Sequence, residues 1–267
     1  MKNLSNYILE AKKQNLDIDR RQPKSRSELE MIISGAFKRK QYDLNFIDTS
    51  KITDMSELFE GVKHNFDVSS WDVSNVKDMS KMFSRCYAFT GKGLENWDVS
   101  NVTDMSHMFD SCSIFIGKGL ENWDVSNVTN MYSMFLHCKK FDCDLSNWDM
   151  SNVIDTSLMF SNCAKFTGKG IENWNVSKVK SMYAMFGDCT NFNCDVSNWD
   201  VSNVTDMDSM FVNCKKFTGK GLENWNVSKV KTMRTMFNGC KFNYQELDWD
   251  LSRLSSQLKT FRNYLAD

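Results

Sequence analysis

The sequence predicts an α/β solenoid of about nine strand-helix coils, each 24–26 residues long, behind a helical amino-terminal cap. Three observations carry that expectation. Tryptophans recur at Trp71, Trp97, Trp123, Trp148, Trp174, Trp199, Trp225 and Trp249. A cysteine follows each of the first seven by fifteen residues, from Cys86 to Cys240. A phenylalanine stands three residues before each of these cysteines, as Phe83 does before Cys86. A period in the twenties implies units that pack on their neighbours and do not fold alone.

One unit reads NWDVSNVTDMSHMFDSCSIFIGKGLE from Asn96 to Glu121. Trp97 and Val99 alternate with Asn96, Asp98 and Ser100, the period-two pattern of a short strand with one buried face. Val102, Met105, Met108, Phe109 and Cys112 fall on one face of a helix, which predicts a short helix after the strand. Thr103 and Asp104 precede it, one to cap free N–H groups and one to meet the positive end of the helix dipole. The Gly-Lys-Gly triplets at 91–93, 117–119, 168–170 and 219–221 supply permissive backbone where each coil returns to the next.

The ends read as caps. Residues 1–45 form a helical amino-terminal cap and leading segment, with Leu29, Ile32, Ile33 and Phe37 at helical spacing after Pro23. Residues 46–267 hold the repeats, from a first coil with Ile47 in the tryptophan slot to a degenerate last coil of Trp249, Leu251, Leu254, Leu258 and Phe261. Terminal repeats depart from the pattern because their outer faces meet water.

Leu94, Trp97 and Val99 give L-x-x-L-x-L spacing with tryptophan in the middle slot, and the signature W-D-x-S-N-V-x-x-M-x-x-M-F-x-x-C follows. This resembles the BspA-like leucine-rich repeats, the 26-residue repeat of bacterial surface proteins, over residues 47–261. The resemblance implies a short-stranded leucine-rich-repeat fold that binds host or neighbouring-cell molecules, and it brings no catalytic residues. Thr156 in place of the first methionine, and Lys178 and Lys229 in place of asparagine, depart from the signature.

Charge excludes several partner classes. With 33 Lys+Arg against 34 Asp+Glu the chain carries no global footprint for nucleic acid or for an anionic surface. No apolar stretch is long enough to predict membrane insertion, and the first residues lack the continuous apolar core of a signal peptide. The location implied is cytoplasmic or virion-associated by these signals, and the cell surface by the resemblance. Nine cysteines, an odd number at low density, predict reduced thiols. The pairs Cys138 with Cys143 and Cys189 with Cys194 leave open a local disulfide or a pair of metal ligands. His64, His107 and His137 fall at unrelated repeat positions and assemble no constellation with a nucleophile. No enzyme, cofactor or metal is predicted.

Two surfaces remain as candidates. Asp98, Asp124, Asp149, Asn175, Asp200 and Asn226 follow the tryptophans and predict a polar row along the strand surface, able to meet a cation or a basic partner. Lys139, Lys140, Lys165, Lys215 and Lys216, with the lysines of the Gly-Lys-Gly triplets, cluster where helices are expected to end; the helix dipole accounts for that placement, and a basic edge is the other reading. The sequence thus predicts a non-enzymatic interaction module for a protein or glycan partner. The alternative is a structural spacer or assembly component of a surface layer or virion.

Overall fold

A computed structural model describes residues 21–242, 247–249, 251 and 254. The leading segment before Arg21 and most of the degenerate last coil, including Leu258 and Phe261, lie outside the described residues. The expected cap helix is present as α1, Arg26–Lys38, with the Ser25 side chain accepting from the Glu28 N–H. Its face of Leu29, Ile32, Ile33 and Ala36 closes one end of the core.

The strand-helix coil is corrected. Among the described residues α1 is the one α-helix, two three-residue 3-10 turns occur at Leu94–Asn96 and Leu222–Asn224, and the β pairings are isolated bridges without a named strand. Each repeat is a succession of tight turns. In the coil of Trp71, Met82 N–H donates to Met79, Ser84 to Lys81, Cys86 to Phe83 and Phe89 to Cys86. The residues between point their N–H groups along the stack: Met79 donates to the Asp104 carbonyl of the next coil, Lys81 to Ser106, Phe83 to Met108 and Arg85 to Asp110. Ser80 N–H is taken by the Asp78 side chain. Every N–H from 79 to 86 therefore has a partner without a helix, which is what burial of this backbone demands.

The local conformation explains why no helix forms. Lys81 and Arg85 both adopt the left-handed region, at φ 55° and 59°, as the third residue of a turn. The same two positions recur as His107 and Ser111, Ser133 and His137, Leu158 and Asn162, Ala184 and Asp188, and Ser209 and Asn213. A left-handed residue every fourth position ends any α-helix before it begins. The spacing Val102, Met105, Met108, Phe109, Cys112 places all five side chains inside, fully buried, but through turns.

The expected strand is displaced too. Trp97 and Val99 are buried and Asp98 exposed, so the inward and outward assignment holds. The parallel bridges instead join Asp54 to Asp78, Asp78 to Asp104, Asp104 to Asn130, Asn130 to Asp155 and onward to Thr232. The ladder thus runs through the segment expected to be helical.

Side chains weld the coils in the opposite direction. The tryptophan nitrogens reach back one coil, Trp97 to the Val68 carbonyl at 3.2 Å and Trp123 to Leu94 at 2.9 Å. The buried thiols do likewise, Cys112 to the Phe83 carbonyl and Cys138 to Phe109, each at 3.0 Å. Phenylalanines such as Phe83 and Phe109 stack between them, 5.4 Å apart and nearly parallel.

Candidate functional site

The polar row expected along the strand surface is a row of turn-closing side chains. Asp98, Asp124, Asp149, Asn175, Asp200 and Asn226 are all exposed. Each side-chain oxygen accepts the N–H of the serine two residues on, from Ser100 on Asp98 at 3.1 Å to Ser228 on Asn226 at 3.1 Å. These bonds hold Asp124 and Asp200 below the ordinary aspartate range, the Ser126 and Ser202 hydroxyls and N–H groups stabilising the ionised form. The neighbouring asparagines satisfy backbone in the coil before, as Asn101 does for the Ser74 carbonyl at 2.7 Å.

The bridged segment presents a second surface, the ladder face, whose side chains vary from coil to coil. Two residues after each bridge position stand Ser56, Ser80, Ser106, Tyr132, Ser157, Tyr183, Asp208 and Arg234. Tyr183 is 41% exposed. Asp206 is pushed above the ordinary aspartate range by burial, and by Asp208 and Asp155 as like charges.

A cluster that sequence spacing did not suggest lies at the centre of this face. His107 and His137 converge on one carboxylate: Nδ1 of His107 is 3.3 Å from Asp110 Oδ2, and Nδ1 of His137 is 3.7 Å from Oδ1. Ser111 donates to Asp110 at 2.9 Å, and the Tyr132 ring meets His107 edge-on at 5.0 Å. Burial works against the Asp110 charge, but bonds from His107 and Ser111 outweigh it and hold the carboxyl below its ordinary range. The histidines meet because His137 stands one repeat plus four residues after His107, at the second left-handed position of the coil that follows the one in which His107 takes the first. That geometry gathers charge and hydrogen-bonding groups at one place. It does not pair a base with a nucleophile, because Ser111 bonds the carboxylate and not an imidazole.

The two members of each cysteine pair have different surroundings. Cys138 donates to the Phe109 carbonyl, whereas Cys143 lies buried against Gly117, whose added Cβ would come within 2.5 Å of the Cys143 Cβ. Cys194 stands in the same relation to Gly168. All nine cysteines are free thiols, and no group of three metal-ligating side chains assembles among the described residues.

The family described as "Mycoplasma protein of unknown function, DUF285" matches four overlapping stretches, residues 2–93, 27–115, 86–170 and 163–266. The chain belongs to the DUF285 family. The overlapping DUF285 matches span the cap and the repeats alike, so this is a repeat protein of a family whose function is unknown. No curated protein matches the chain.

Proposed function

We propose that this DUF285 chain is a non-enzymatic recognition module that binds a protein or glycan partner through its ladder face. The observation that carries the reading is variation on a constant frame. The turn backbone and the buried side chains repeat from coil to coil, while the ladder positions, exposed at Tyr183 and Arg234, half-buried at most others and buried at Ser157, change from serine to tyrosine, aspartate and arginine. Tyr132, Tyr183 and the histidines around Asp110 combine apolar rings with polar tips, the composition that contact surfaces favour. The signature shared with BspA-like repeats supports the same reading. The row from Asp98 to Asn226 is nearly uniform and contributes an acidic lip with no partner-specific information.

The test is a glycan array and a pull-down at physiological salt, with the wild-type chain beside a Tyr132→Ala, Tyr183→Ala variant. The reading expects saturable binding to one ligand, abolished in the variant while the unfolding midpoint holds. Self-assembly with no captured ligand would favour a structural spacer instead.

A further inference from the structure

A different edge of the stack carries a chemistry the ladder face does not use. After each ladder cysteine the chain turns outward for two residues before the next buried phenylalanine. Those phenylalanines, Phe89, Phe115, Phe141, Phe166, Phe192 and Phe217, form a continuous row with ring centroids 5.4–6.3 Å apart. The outward residues therefore form rows of their own at the same spacing. Toward the amino-terminal end these are apolar, with Tyr87 53% exposed and Ile114 38%, and Ile116 just past its phenylalanine 51%. Toward the carboxyl-terminal end they include Lys139, Lys140, Lys165, Lys215 and Lys216, all exposed, with Thr190 and Asn191 in the coil between Lys165 and Lys215.

With no helix ending there, the helix dipole does not explain these lysines. Nor does ion pairing. The triplet lysines Lys169 and Lys220 sit 3.0 and 2.8 Å from Asp144 and Asp195 of the preceding coil, and Lys92 pairs with Asp67. Among the described residues the five edge lysines have no such acid. Asp142 and Asp188 are engaged along the stack, Asp142 by Thr167 and Asp188 by Asn213.

We infer that this edge docks peripherally on an anionic lipid surface, with Tyr87, Ile114 and Ile116 entering the headgroup boundary and the lysines pairing with lipid phosphates and carboxylates. Flexible ammonium groups on three coils of one edge, beside exposed apolar side chains, suit a charged interface. The arrangement suits nucleic acid poorly, since no aromatic platform lies between the lysines and the guanidinium of this edge, Arg85, is turned to Glu60 at 3.6 Å. This docking is independent of the ladder face and leaves it free for a partner.

The experiment is co-sedimentation of the full chain with phosphatidylcholine vesicles, with and without phosphatidylserine. Binding is expected only with phosphatidylserine and falls as salt is raised. Combined Lys139→Glu, Lys140→Glu, Lys215→Glu and Lys216→Glu should weaken it by more than about fivefold per lysine removed, with tryptophan emission unchanged as the check on folding. Ile116→Ser should weaken binding and leave its salt dependence intact. The inference is overturned if the wild-type chain ignores phosphatidylserine, if the natively folded charge-reversed variant binds as well as wild type, or if polyuridylate competes the chain off the vesicles at lower concentration than the lipid holds it.

Discussion

The indole nitrogen of Trp148 donates to the backbone carbonyl of Leu120, one coil back, at 2.8 Å. The ring is 3% exposed and stacks on Trp174 at 6.4 Å, so it serves at once as core and as a cross-coil tie. Trp148→Ala should cost about 3–5 kcal/mol by cavity formation. Trp148→Phe keeps most of the ring and removes one of the two donors to the Leu120 carbonyl, the Trp123 N–H remaining at 3.1 Å, for about 0.5–1.5 kcal/mol. Urea titration followed by circular dichroism gives both values; a loss under about 0.5 kcal/mol for the alanine variant would place the ring outside the core.

Ala184 sits in the left-handed region at φ 48°. Ala184→Gly should therefore raise stability by about 0.5–1 kcal/mol, relief of the Cβ strain exceeding the added freedom of the unfolded chain. In a helix the same substitution would lower stability by about 1 kcal/mol. The sign of the change in urea midpoint distinguishes a turn from a helix at this position.

Two glycines separate backbone strain from collision. Gly61 has φ 73° with nothing within 4 Å of an added Cβ, while at Gly93, φ 95°, the Cβ would lie 2.3 Å from the Ser69 Cα. Gly61→Ala should cost about 1–2 kcal/mol. Gly93→Ala should cost clearly more, since backbone of the preceding coil must move. Equal losses in thermal unfolding would contradict the close approach of the triplet to that coil.

Burial pushes the Cys143 and Cys194 thiols up to about 12 from an ordinary value of 9.0. A thiol raised in this way stabilises the fold fully below its unfolded value and loses that contribution as pH climbs toward the folded one. Unfolding free energy should fall between pH 9 and 12, and Cys143→Ala with Cys194→Ala should flatten that fall. A thiol-reactive chromogen should find little in the native chain at neutral pH and close to nine groups after denaturation without reductant; five would indicate two disulfides.

Asp110 gives the opposite limb. Its carboxyl is held below the ordinary value of 3.8, against burial, by His107 and Ser111. The stabilisation is present above that value and disappears as pH falls through the lower, folded one. Asp110→Asn should reduce the acid slope of the unfolding free energy, measured from pH 7 downward. An unchanged slope would show that the two histidines do not rest on this carboxylate.

The sequence made the inward and outward pattern legible, and left the backbone that produces it hidden. Trp97, Val99, Val102, Met105 and Cys112 are buried as their spacing predicts, and Leu29, Ile32 and Ile33 do lie on a helix. A three-residue apolar step, however, arises equally from helical turns and from a chain of tight turns. The feature that decides between them is a left-handed conformation at residues such as Lys81, His107 and Leu158, whose side chains do not advertise it. Glycine marks the position openly only at Gly61 and Gly239, near the two ends. The cluster at Asp110 stayed hidden for a related reason: its histidines occupy different repeat positions, and only the offset between coils brings them together.

Backbone hydrogens given forward, as from Met79 to Asp104, and indole and thiol hydrogens given back, as from Trp97 to Val68, load every junction in both directions. Tension applied at the two ends would act along these bonds and break one junction before reaching the next. A chain stretched between two anchors should then lengthen in even steps, each releasing one coil of roughly 90 Å of extended chain, and behave as a graded tether whose slack is counted in repeats.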